Sequence, residues 1–218
     1  MNKRKKYLVL DVETANGLTD PLVYDFGYQV VDKYGEVYEK GSFLIRNIIA
    51  DEKELMKTAY YADKLPQYRE EYKRGKHKLV TFYRLRMIIN DVIERYDIND
   101  VGAYNARFDY RALHTTQRFL TSSKYRWFFR RRVTWFCIWK MAKSTICKQK
   151  TYEKFCREHG FISKNGQLKT SAEIVYRYMV WDPIYQEEHT GLEDVKIETE
   201  IMALAFRQKK KMDYHAFE

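Results

Sequence analysis

The chain has 218 residues, of which 45% are hydrophobic, and its 19 Tyr and 12 Phe supply ample core material for a single globular domain over residues 1–218. No run of about 18 consecutive apolar residues occurs, which argues against a membrane span. Lys and Arg number 40 against 30 Asp and Glu, a net charge of +10, and the 3 cysteines form no C-x-x-C pair, so a disulfide framework or a four-ligand zinc site is not expected.

The amino terminus "MNKRKKYLVLDVET" is basic and then apolar, like the start of a secretory signal. The apolar run is too short, however, and Asp11 and Glu13 stand where a small-residue cleavage site belongs. Residues 7–12 therefore read as a buried central strand of a cytosolic protein. Residues 26–45 read as two strands joined by a tight turn at residues 32–35. The polar stretch 64–78 reads as a mobile loop. Over residues 79–96, Phe82, Leu85, Ile89, Val92, Ile93 and Tyr96 recur at helical spacing and form one apolar stripe. A short strand is expected within "DVGAYN", followed by a helix over 106–120 with Asn105 as N-cap. A helix over 170–180 opens on a Thr170-x-x-Glu173 capping box and stops near Asp182-Pro183. The last helix spans 191–208, with Thr190 as N-cap and Glu193 completing a second box. Early strands with interspersed helices predict an α/β fold, a mixed β-sheet flanked by α-helices.

The positive charge is concentrated. Between Asp109 and Glu153 there is no acid, and eleven cations lie in that interval, among them Lys124, Arg126, Arg130, Arg131 and Arg132. The remaining 29 cations nearly balance the 30 acids. Such asymmetry points to a polyanionic partner, most simply a nucleic acid. In "KYRWFFRRRVTWFCIWKMAK" cations alternate with rings, so the arginines are candidates for phosphate contact. The helical spacing of Trp135, Phe136 and Trp139 instead predicts the core face of an amphipathic helix.

Asp11 and Glu13 alternate on one strand and so share a face, where they repel each other unless something positive lies between them. Asp109 follows the Asn105 cap by four positions, as Asp194 follows Thr190. Asp194 shares a helix face with Ile197, Ile201 and Leu204, so it points inward, whereas Glu193 aligns with Lys196 and Glu200 on a solvated face. His189 precedes the helix in a loop, where its ring can move. Oxygen-only ligands suit Mg²⁺ or Mn²⁺, and two such ions roughly 3.5–4 Å apart stabilise the attacking and leaving oxygens of a phosphodiester. A histidine can accept the proton of the attacking water.

In order, "DVET", "NARFD" and "HTGLED" match the D-x-E, N-x-x-x-D and H-x-x-x-x-D motifs, and on them the chain resembles the DEDDh family of 3′–5′ exonucleases. The resemblance implies a ribonuclease-H-like fold. It implies that Asp11, Glu13, Asp109 and Asp194 bind two divalent metals, Mg²⁺ or Mn²⁺, with His189 as general base. It also implies that Thr14 and Ala15 contact the terminal nucleotide, with Asn105 and Phe108 as further substrate-binding candidates beside Arg130, Arg131 and Arg132. Tyr104 stands where the family often has His, and Gly191 where it usually has Ala. The related class with tyrosine one position after the histidine does not fit, because position 190 is Thr.

The expected activity is metal-dependent release of nucleoside monophosphates from single-stranded or frayed DNA or RNA 3′ ends, in replication or repair, with any polymerase or replication partner supplied in trans and no membrane. A compact chain without appended modules suits a stand-alone nuclease, with a virus among its candidate sources. Two other readings stand beside it: a non-catalytic nucleic-acid-binding module of the same fold, and a carboxylate-pair hydrolase acting on sugars.

Overall fold

Leu8, Leu10 and Val12 alternate with Val9 along the first strand, and a computed structural model, which describes residues 4–122 and 127–217, buries the two sets in different cores. This strand, β1 (Lys6–Ala15), pairs antiparallel with β2 (Leu22–Asp32), which pairs antiparallel with β3 (Val37–Ile45). The β2–β3 turn is the expected one: the Gly35 N–H bonds to the Asp32 carbonyl at 3.0 Å with φ at +87°, and the Asp32 carboxylate accepts the N–H groups of Tyr34 and Glu36. Two short helices, α1 (Arg46–Ile49) and α2 (Lys53–Met56), lead into α3 (Leu65–Lys73) and β4 (Lys78–Val80). Then follow α4 (Phe82–Arg95), β5 (Asp100–Ala103), α5 (Ala106–Leu120), β6 (Thr134–Cys137), α6 (Ile138–Ser144), α7 (Lys150–Glu158), α8 (Ala172–Val180) and α9 (Gly191–Arg207).

Among the described residues six strands form one mixed sheet in the order β4-β3-β2-β1-β5-β6, with β5 parallel to both β1 and β6. One core joins the sheet to α4 and α5, and the other joins it to α6, α7, α8 and α9. The predicted α4 stripe is buried from Phe82 to Ile93.

Residues 64–78 are not a loop. They form a turn, α3 and the start of β4. Tyr68 and Glu71 are buried on one side of α3, and Glu71 bonds the Nε2 of buried His77, whose Nδ1 lies 2.6 Å from the Ser42 hydroxyl. The polar composition hid an inward face made of a tyrosine and a paired acid. Trp135 and Phe136 belong to strand β6 rather than a helix, and they enter opposite cores. A two-sided strand buries neighbouring residues on alternate faces, which a short run does not distinguish from a helix. Trp139 does lie on a helix, α6, but it is 36% exposed and donates its indole N–H to the Thr170 hydroxyl.

The caps also differ. Ser171 rather than Thr170 caps α8, its hydroxyl accepting the Ile174 N–H. Glu173 reaches forward to Arg177 at 2.9 Å. Asn105 and Thr190 occupy N-cap positions without a side-chain cap bond, and Glu193 pairs with Lys196 instead of reaching back.

Candidate active site

Asp11 and Glu13 lie on the β1 face that turns toward α9, the opposite face from Leu10 and Val12. On one side of β1, β5 pairs only with Tyr7, Val9 and the residue between them, so β1 runs past it with an open edge. Asp109, in the first turn of α5, uses that edge: its carboxylate accepts the Val12 N–H. On the other side, Asp11 pairs with Gly27 of β2. A Cβ on Gly27 would sit 2.1 Å from the Gly191 carbonyl carbon, and one on Gly191 would sit 2.7 Å from the Gly27 nitrogen. Only two glycines allow the start of α9 to lie this close over β2, and that approach carries Asp194 to the β1 carboxylates. It also accounts for glycine, not alanine, at 191.

The approach is pinned by Asp25, which is fully buried. Its Oδ2 accepts the Gly191 N–H at 2.9 Å and the Tyr68 hydroxyl at 2.8 Å. The misread segment 64–78 thus supplies Tyr68, the residue that anchors this carboxylate.

One carboxylate oxygen each of Asp11, Glu13 and Asp194 lies within 4.8 Å of the others, and ligand atoms of Glu187, His189 and Asp194 meet the same limit. Asp194 belongs to both groups. Burial, followed by repulsion from Glu198, Asp109, Asp194 and Glu13, pushes the Asp11 carboxyl well above the usual range. Burial and then Asp194 do the same to Glu13. Burial raises Asp109 to about 7, and burial together with Asp25 raises Asp194 to about 7. Glu187 is pushed up to about 8, again chiefly by burial, then by Asp194. Lys64 lowers Glu13 and Asp194 somewhat, and its ammonium is tied to the Glu188 carbonyl.

His189 adopts a left-handed backbone, φ +51°, and its own N–H bonds to Asp194. Its ring is held rather than loose, stacked on Tyr61 at 4.4 Å and 13°, with Nδ1 3.7 Å from a Glu187 oxygen. Burial, then Lys64, lowers its pKa, so the ring is neutral and able to accept a proton near pH 7.

Of the other predicted residues, Thr14 and Ala15 continue β1 beyond Glu13 and are buried, Asn105 is exposed at the start of α5, and Phe108 is half-buried beneath the Arg111 guanidinium. Arg130, Arg131 and Arg132 are not part of the carboxylate group. They precede β6, whose Thr134 is level with Asp100 and hence with Tyr7. Asp11 lies four residues, roughly 13 Å, further along the sheet. Arg131 is 3.4 Å from Asp97, before β5. Lys124 and Arg126 fall outside the described residues.

Sequence reasoning missed Glu198, Glu187, Asp25, Tyr61 and Lys64. Glu198 is the most informative. It is buried one turn after Asp194, takes a bond from the Tyr104 backbone, and repels Asp11 more than any other acid does, while its Oε2 has no partner among the described residues. The helical stripe that placed Asp194 inward with Ile197 and Ile201 also contains position 198.

Asp109, Asp194, Glu187 and Glu198 each keep a buried carboxylate oxygen without a hydrogen-bond donor among the described residues. So many uncompensated acids are costly without a cation. An all-oxygen set of this charge suits hard divalent ions such as Mg²⁺ or Mn²⁺, so the residues fit the expected metals.

No family model matches the sequence, and no curated protein matches it. Solved structures do. The cell-death related nuclease 4 (CRN-4) superimposes with a TM-score of 0.59 at 11% identity, over 97% of this chain and 67% of that one. An exonuclease I from Methylocaldum szegediense gives 0.56 at 18% identity, and another exonuclease I, in its apo form, gives 0.57 at 15%. Each covers 94% of this chain, which spans 41% and 43% of their respective lengths. The chain therefore shares the fold of these nucleases, a ribonuclease-H-like mixed α/β sheet.

Proposed function

We propose that the chain is a metal-dependent 3′–5′ exonuclease that releases nucleoside monophosphates from single-stranded or frayed ends. The observation that carries this reading is the meeting of Asp11, Glu13 and Asp194 within 4.8 Å, with Asp109 bonded to the same strand at Val12. Asp11, Glu13, Asp109 and Asp194 would hold two divalent ions. When bound, such ions polarise the phosphodiester and stabilise charge on its attacking and leaving oxygens.

The chain's own residues do the rest. His189, neutral and stacked on Tyr61, accepts the proton of the attacking water at a ring nitrogen. Glu187, beside Nδ1, orients the ring. Thr14 and Ala15, directly after Glu13, and Asn105 and Phe108, at the start of α5, would contact the terminal nucleotide. A partner in trans belongs to the same reading, and one solved structure of this fold is an ExoI/SSB-Ct complex, with a TM-score of 0.50.

The test is digestion of end-labelled single- and double-stranded DNA and RNA with divalent metal or chelator. Asp11→Ala removes metal-dependent digestion, and His189→Ala binds oligonucleotide but turns over about 10²–10⁴-fold more slowly. Binding without any shortening in Mg²⁺ or Mn²⁺ would establish the binding-module reading instead.

A further inference from the structure

Along one flank of α5, beside its buried face, a groove of about 700 Å³ opens between that helix, the segment after residue 126, and the chain's last described residues. Its walls hold Trp127, Phe217, Tyr110 and the arginines 130–132, and among the described residues no acid lines it. The rings brace one another: Tyr110 meets Phe217 edge-on at 4.7 Å, and His114 lies 5.3 Å from Trp127. Trp127 is nonetheless 62% exposed and Phe217 52%. Large rings left this open offer flat faces for stacking.

The cationic wall is built rather than incidental. The Arg86 Nε donates to the carbonyls of Trp127 and Phe128, and buried Asn90 donates to Phe128 while accepting the Arg130 N–H at 2.6 Å. These bonds fix the backbone that carries the arginines to α4. Arg130 stands close enough to Arg86 to repel its charge, and neither Arg130 nor Arg132 pairs with an acid among the described residues. Like charges held together without a counter-ion favour an anion between them.

We infer that this groove is a second contact for single-stranded nucleic acid, holding phosphates on Arg130 and Arg132 and a base against Trp127. The exposed stacking face and the arginines lining the same groove match a strand, whose phosphates and bases alternate at short intervals. The inference rests on the reading above that the substrate is a nucleic-acid strand. The groove extends that strand's path along α5, away from the end at which Asp109 meets β1.

The experiment is fluorescence anisotropy in chelator, using DNA and RNA strands of about 15 and about 3 nucleotides. It is run beside metal-dependent hydrolysis of an aryl ester of a nucleoside monophosphate, which reads the carboxylate centre alone. Trp127→Ala weakens the long strand about 5- to 150-fold, the loss of one stacked base, while Trp127→Phe keeps most of the affinity. Arg130→Ala with Arg132→Ala makes the salt dependence of log affinity shallower by about 1.4 for two phosphates. Ester hydrolysis and melting temperature are unchanged in all three proteins, since these side chains are exposed.

Unchanged long-strand affinity and salt slope in the variants, with the parent still digesting, overturn the groove and leave the exonuclease reading intact. The expected binding losses in a protein that hydrolyses nothing sustain the groove and overturn the exonuclease reading. An acidic peptide of matched charge that binds as tightly, and is weakened by the same substitutions, also overturns the inference.

Discussion

Replacing Asp109 with Asn tests whether the carboxylates are held together against their own repulsion. Burial raises the Asp109 carboxyl from an ordinary 3.8 to about 7. An acid shifted this way keeps its proton more firmly in the folded than in the unfolded chain. Its stabilising contribution is complete below about pH 4 and is lost as pH rises through about 7. Three pKa units correspond to about 4 kcal/mol as an upper bound at pH 8, and sharing of the proton among neighbouring acids reduces this to about 2–4 kcal/mol. Asparagine keeps an oxygen to accept the Val12 N–H but carries no charge. In chelator at pH 8, Asp109→Asn therefore raises stability by about 2–4 kcal/mol, or roughly 5–15 °C in Tm for a chain of this size. At pH 4.5 most of that gain vanishes. Added Mg²⁺ raises the parent's Tm and raises the variant's less. Thermal unfolding followed by circular dichroism at both pH values, with chelator or Mg²⁺, reads all of this. A variant destabilised equally at pH 4.5 and 8, or stabilised by Mg²⁺ as much as the parent, would refute the reasoning.

The close approach of β2 and α9 makes Gly27→Ala damaging, because a Cβ 2.1 Å from the Gly191 carbonyl carbon has only backbone to displace. The expected cost is about 1–3 kcal/mol with a weakened response to metal, read as Tm with and without Mg²⁺. Unaltered values would show that α9 does not need this contact. Glu198→Gln removes a buried charge beside Asp11 without changing side-chain shape. Calorimetric titration with Mn²⁺ is expected to give affinity about 10- to 100-fold weaker, the usual effect of losing a partner behind the ligands. Equal affinity would leave Glu198 a structural role alone.

Local patterns carried much of this protein. A nearly continuous apolar run placed β1 as a strand covered on both faces, helical spacing found α4, the Asn105 cap marked the start of α5, and the order of the three motifs picked out Asp11, Glu13, Asp109, His189 and Asp194. Those signals survive in isolation because each is set by a few neighbouring residues and the repeat of the backbone. Where the outcome depended on which distant segments meet, sequence alone was blind. Tyr68 became an anchor for Asp25 because α3 packs there, and Ser171 took the cap from Thr170. Likewise, Trp135 and Phe136 entered different cores because β6 is covered on both faces. Glu198 joined the acids because Gly27 and Gly191 let α9 descend onto β1. Close packing and burial decide such matters, and both are properties of the assembled chain rather than of any window within it.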